Sequence, residues 1–243
     1  MAGKTCGAVN PDIRDPITRE GQPVSRVTQL LAGRLESRGA EGIRSLETRW
    51  IFSGRLGSAV ASWLGRFPGE AEIREDVYLI DPQLHGISAK VRALTAFEVK
   101  VYQGSPGVLE VAGRALGRME YWQKSSFPWD PVSLEDVGSA DWVPVRKRRR
   151  VSRFSLAGGK TGCAVELTEM RAREEDWWSL GFEATGQDDL LRGEFEAVVA
   201  RVLAGPAPNL AEFGLHNSRS YADWLQSLPP SGTVAHPGEA TRH

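Results

Sequence analysis

GISAKVRALTAFEVKVYQG, residues 86 to 104, sets Lys90 and Arg92 two apart, then Glu98 and Lys100 two apart, with Val91, Phe97, Val99 and Val101 in the intervening places. Side chains along a strand alternate between its two faces. A hairpin that reverses near Thr95 therefore has one ionised face and one apolar face. Pairing Arg92 with Glu98 puts Lys90 opposite Lys100, and like charges across a strand pair are destabilising unless an anion lies between them or water screens them. No Asn-Gly or Asp-Gly fixes that register. The hairpin alone is compatible with a sheet that has one wet face, which is common in antiparallel structures. The rest of the chain has to decide.

The 243 residues, 41% of them hydrophobic, suffice for one domain with a substantial core and tails. A formal net charge of -1 argues against coating nucleic acid by bulk electrostatics, although a balanced total can hide a basic cleft. Cys6 and Cys163 are the two cysteines and stand in unlike surroundings, so neither a disulfide framework nor a cysteine zinc site is expected. His85, His216, His236 and His243 show no metal-ligand spacing. There is no apolar run long enough to span a bilayer and no secretory apolar stretch in the leader, which makes a cytoplasmic location without membrane contact the expectation.

The chain divides into a weakly ordered leader (residues 1–44, with one possible short helix in VSRVTQLLAGRLES), a folded segment (45–227) and a Pro- and Gly-rich tail (228–243). Strand signals fill the middle: SLETRWIF, REDVYLI, the hairpin, GVLEV, GRMEYWQKSSF, WVPVRKRRRVSRFSL, CAVELTEM and LGFEAT. Eight or nine strands in one compact segment predict an α+β fold built on a closed or nearly closed antiparallel β-barrel, because closure removes vulnerable edges. SAVASWLGRF has helical spacing. DDLLRGEFEAVVARVLA, with Asp188 as a possible cap, and SYADWLQSL are two later amphipathic helices expected to pack outside the sheet.

Alternation puts Glu47 on the face away from Leu46, Thr48 and Trp50, Glu166 away from Val165 and Leu167, and Glu183 away from Phe182 and Ala184. A barrel brings alternate residues of every strand into one interior. Glu47, Arg49, Lys90, Arg92, Glu98, Lys100, Glu166 and Glu183 would then share a lumen too charged to be a dry core. An isolated buried charge costs several kcal/mol, so such a lumen needs water, mutual pairing or bound ions. A phosphate chain with a divalent metal would satisfy both signs. In RKRRRVSR, residues 146 to 153, Lys147 and Arg149 share one face, and Arg146, Arg148 and Arg150 the other. The outward set reads as a solvated edge or a patch for RNA or another acidic partner.

The order of these motifs resembles the CYTH superfamily, or triphosphate tunnel metalloenzymes, which includes thiamine triphosphatases, inorganic triphosphatases and class IV adenylyl cyclases. The likeness runs from Leu46 to about Leu225. ETRWI matches the first glutamate of an opening Glu-x-Glu-x-Lys strand at Glu47. REDVYL, with Arg74, Asp76 and Tyr78, looks like the Arg-x-Asp-x-Tyr segment. Lys90 and Arg92, then Lys100 with Glu98, then Lys147 and Arg149 stand for the family's basic strands. VELTEM and LGFEAT resemble its acidic strands, and SYADWL its terminal helix. The departures fall on the chemistry: Arg49, Ile51 and Thr185 stand where two glutamates and a lysine are expected.

The resemblance implies that Glu47, Glu166 and Glu183 are catalytic and hold Mg²⁺ or Mn²⁺. It also implies that Lys90, Arg92, Lys100, Lys147 and Arg149 grip phosphate, with Arg49 able to join them. The implied activity is metal-dependent hydrolysis of a triphosphate or polyphosphate-bearing small molecule, with nucleic acid disfavoured as a partner. The alternative is a non-catalytic module that binds polyphosphate or nucleotide and has lost part of its metal site.

Overall fold

The structure, a computed structural model, describes residues 42–82, 84–111, 115–128, 141–155, 162–186, 191–204 and 213–229. The leader helix, the Asp188 cap and the tail beyond residue 229 lie outside the described residues.

Eight strands form the body: β1 (Ile43–Ser53), β2 (Glu70–Ile80), β3 (Ile87–Arg92), β4 (Ala96–Val111), β5 (Ala115–Pro128), β6 (Asp141–Ser155), β7 (Gly162–Ala172) and β8 (Glu175–Thr185). They close into a barrel in the order β1-β5-β4-β3-β2-β6-β7-β8, every pairing antiparallel. The expected closed barrel is therefore present, with eight strands, the lower of the two expected counts. GVLEV is the far half of β4, which continues past register shifts at Tyr102/Gly104 and Gly104/Gly107. Both glycines have positive φ, 121° and 112°, a backbone that L side chains rarely adopt. A bulge of this kind bends a strand without ending it.

The opening hairpin turns two residues out of the expected register. Ala93 and Leu94 both take left-handed φ, 46° and 56°, and Thr95 N donates to Arg92 O at 2.9 Å. Arg92 then faces Ala96, Lys90 faces Glu98 and Ser88 faces Lys100. Two successive left-handed residues match the twist of the flanking strands, at a cost of about 1–2 kcal/mol each outside glycine. In return the Lys90–Lys100 repulsion disappears and opposite charges meet across the pair.

Three helices accompany the barrel: α1 (Ser58–Gly65), α2 (Leu191–Leu203) and α3 (Tyr221–Gln226). The α2 stripe of Leu191, Phe195, Val198, Val199 and Val202 is buried against the outward side chains of β1 (Leu46, Trp50, Phe52) and β8 (Leu180, Phe182, Ala184), where Trp63 and Leu64 of α1 join it. Each large apolar side chain covered in this way contributes about 1.5–3 kcal/mol. The apolar face of the opening hairpin, Val91, Phe97 and Val99, is likewise buried on the outer side of the sheet.

The third helix does not pack outside. Trp224 and Leu225 cluster with Ile51, Tyr78, Val143 and Val145, which continue the inner faces of β1, β2 and β6 beyond the charged lumen residues at one end of the barrel. α3 thus plugs one end of the barrel, held by a capping box in which Ser220 Oγ accepts from Asp223 N (3.1 Å) and Asp223 accepts from Ser220 N (3.4 Å). Ile51, fully buried at the position where the resemblance expects lysine, belongs to this plug. Among the described residues no helix is long and apolar enough to cross a membrane.

Candidate functional site

Alternation along closed strands aims one side chain in two at the axis, and the resulting lumen is a cavity of about 110 Å³. Glu47, Arg49, Lys90, Arg92, Lys100, Lys147, Arg149, Glu166 and Glu183 all line it. Arg74, Tyr78, Glu98, Glu120, Trp122 and Lys124 stand beside them. The wall thus holds eight cations against five carboxylates, with Asp76 fully buried behind it.

Four carboxylates act as hubs. Asp76 Oδ2 lies 3.0 Å from Lys90 Nζ and 3.2 Å from Lys147 Nζ. Its Oδ1 is 3.1 Å from Arg74 Nε but misaligned, so neither of these buried atoms makes a hydrogen bond among the described residues. Glu98 meets Lys90, Arg92 and Lys124 at 3.2, 3.3 and 3.2 Å. Burial alone would raise these two acids. The surrounding cations overcome it, chiefly Lys147 and Lys90 for Asp76 and Lys90 and Lys124 for Glu98, and both pKa values fall to about 2. Glu47 Oε1 accepts from Lys100 Nζ and from Ser45 Oγ, each at 2.6 Å, and is also held low despite burial. Lys100 stays charged although half-buried, because Glu47 and then Glu183, 3.7 Å away, outweigh its desolvation.

The fourth hub contains the unexpected residue. Glu166 Oε1 accepts from Arg49 Nη1 (3.1 Å) and Thr168 Oγ1 (2.9 Å), while Oε2 accepts from Arg149 Nε (2.6 Å). Arg49 also donates to Ser179 Oγ at 3.1 Å, and its guanidinium lies 4.5 Å from the Tyr221 ring centre. Lys147 covers the same ring at 4.3 Å and donates to the Tyr78 hydroxyl at 2.5 Å. Burial is the main cause that pushes the Tyr78 phenol up to about 12. Room for Arg49 comes from Gly181, its cross-strand partner, where a Cβ would stand 2.6 Å from Arg49 Cζ.

Register also places like charges side by side. Lys100 is directly opposite Lys124, and Arg74 opposite Lys147. Glu120, Glu47 and Glu183 form a row across β5, β1 and β8. Burial, with Asp223 and Glu47 adding to it, raises Glu120 to about 7 against the Trp122 Nε1 hydrogen bond (3.0 Å) that favours its anion.

These donors do not fit a resident divalent cation. Both oxygens of Glu166 are already engaged, with guanidinium groups on each, and among the described residues no three His, Cys, Asp or Glu side chains converge as a metal site. Arg49 supplies, within the wall, positive charge of the kind a metal would bring.

The outward arginines of β6 are compensated. Arg146 pairs with Glu75 at 3.1 Å and Arg148 with Glu169 at 3.6 Å, while Arg150 donates to the Phe67 carbonyl at 2.8 Å. Sequence reasoning passed over Glu120 and Lys124, although Glu120, Trp122 and Lys124 share one face of GRMEYWQKSSF and the period-two signal was there. Tyr221 had no such signal, because a plugging helix rather than a strand brings it in.

No protein-family model matches the chain, and no curated protein matches it. Several solved structures are similar to it. The Hippeastrum protein HpAC1, described as having a dominant triphosphatase activity, is 13% identical, with 70% of this chain and 94% of that one covered at a TM-score of 0.37. The mimivirus capping enzyme triphosphatase is 11% identical, with 74% and 96% covered at 0.42. A chain of the Schizosaccharomyces pombe Mediator head module is 10% identical, with 68% and 96% covered at 0.42.

Proposed function

We propose that the lumen binds the phosphate chain of a small triphosphate- or polyphosphate-bearing molecule through its own cations, without a resident metal. The observation that carries this reading is the surplus of cations on the wall, with two like-charged pairs, Lys100/Lys124 and Arg74/Lys147, set directly opposite each other. Carboxylates already contact each member of these pairs, and the remaining surplus of cations favours a further anion between them. Ammonium and guanidinium groups fixed before the ligand arrives bind oxygen anions with little reorganisation, and the arginines add forked hydrogen bonds.

A second reading, hydrolysis of a phosphoanhydride, is favoured by the row of Glu120, Glu47 and Glu183. A carboxylate there is suited to orient water, and Glu120, with its pKa raised to about 7, is suited to exchange a proton near neutrality.

Calorimetric titration with tripolyphosphate in a chelating buffer, alongside phosphate release assayed with Mg²⁺ and with Mn²⁺, separates the two. Metal-independent binding that Lys100→Ala weakens at least about tenfold, the scale of one charge-assisted contact, without phosphate release, supports the binding module. Phosphate release abolished by Glu47→Gln would replace it with the hydrolase, and no binding in chelator would remove it.

A further inference from the structure

At the end opposite the α3 plug, a second cavity of about 410 Å³ shares Arg92, Lys124, Arg149 and Glu183 with the lumen and so continues it outward. It adds Arg153, which is exposed and forms no ion pair with any described residue. Four cations thus face one carboxylate. The other described residues lining this mouth are Gly162, Cys163, Ala164 and Thr185. No aromatic ring among them offers a face on which a base could stack, whereas base-binding surfaces depend on such rings.

Lys147, Arg149 and Arg153 lie on the inner side of one strand. Six residues at about 3.3 Å each, tilted about 40° from the axis, give about 15 Å of depth from Lys147 to Arg153. That depth exceeds the reach of three linked phosphates. The plug occupies the inner end, so among the described residues a longer chain has its way out past Arg153.

We propose that the mouth is an outer subsite for additional phosphates, so that the preferred ligand is a linear polyphosphate longer than three units. This rests on the lumen being a phosphate site. Arg149 and Arg92, lining both cavities, hold the junction, and Arg153 and Lys124 engage the chain as it leaves.

The test is calorimetric titration of the full chain in chelator with tripolyphosphate, a medium-chain linear polyphosphate and a single-stranded RNA oligomer, repeated on Arg153→Gln and Arg153→Lys. A longer chain also offers more binding registers, so the discriminating readout is the effect of Arg153→Gln on each ligand. Arg153→Gln is expected to weaken polyphosphate about tenfold and to leave tripolyphosphate within about twofold, with Arg153→Lys restoring most of the loss. Equal losses for both phosphates, or none for polyphosphate, overturn the outer subsite while leaving the lumen site standing. RNA binding lost in Arg153→Gln while polyphosphate binding is unchanged overturns it in favour of a nucleic-acid mouth. An unmodified protein that binds neither phosphate overturns both this inference and the lumen reading.

Discussion

Replacing Glu120 with Gln should stabilise the protein above neutrality and do progressively less so as the pH falls. Glu120 sits in the row with Glu47 and Glu183, and burial raises its pKa from the ordinary 4.5 to about 7. The unfolded chain releases this proton near pH 4.5, while the folded chain keeps it until about pH 7. Between these values the folded state binds more protons, so stability falls as pH rises. The favourable contribution is complete below pH 4.5 and gone above about pH 7. A shift of this size corresponds to about 3 kcal/mol at 1.36 kcal/mol per unit, and partial exposure of the carboxylate reduces it to about 2. Glutamine carries no titrating proton, so the stability difference between Glu120→Gln and the unmodified protein should grow by about 2 kcal/mol from pH 4.5 to pH 8. Urea unfolding of both proteins at half-unit intervals reads it directly, with other titrations cancelling in the difference. Parallel stability curves across this window would refute the burial argument.

The opposite sign holds for Asp76 and Glu98, whose folded pKa values of about 2 make their stabilisation complete above the unfolded carboxylate range and lost as pH falls through about 2. Acid unfolding followed by tryptophan fluorescence should therefore steepen below pH 4.5, and Asp76→Asn should flatten the loss by about 2 kcal/mol. Gly181→Ala drives a Cβ into the Arg49 guanidinium, breaks the Arg49–Glu166 contact and should cost about 1–3 kcal/mol by chemical denaturation; a change under about 0.5 kcal/mol would show that Arg49 has another seat. Ser220→Ala removes the capping box of the plug and should lower stability by about 1 kcal/mol, with a change in Trp224 emission reporting a loosened barrel end.

How much of this was legible beforehand follows from periodicity. A strand's two-residue alternation is local, so the faces carrying Glu47, Lys90, Lys100, Lys147, Glu166 and Glu183 could be assigned without coordinates, and the strand count brought closure within reach. The turn register was not local. It depended on Ala93 and Leu94 accepting left-handed backbone so that Lys90 could meet Glu98, a balance of strain against pairing that no motif in ALTA announces.

The α3 segment carries an ordinary amphipathic pattern, and pattern alone shows that Trp224 and Leu225 are buried but not whether inside or outside the barrel. Only the assembled sheet decided that, because the inner faces of β1, β2 and β6 become apolar at one end, where Ile51, Tyr78, Val143 and Val145 stand, and leave a socket. The fate of Arg49 was decided the same way. The sequence determined that a cation, Arg49, stands beside Glu47 on the inner face of β1. The tertiary structure determined its partner, since Gly181 and Glu166 come from β8 and β7, more than 100 positions along the chain, and the electrostatics of a buried guanidinium depend on which anion closure brings within 3.1 Å.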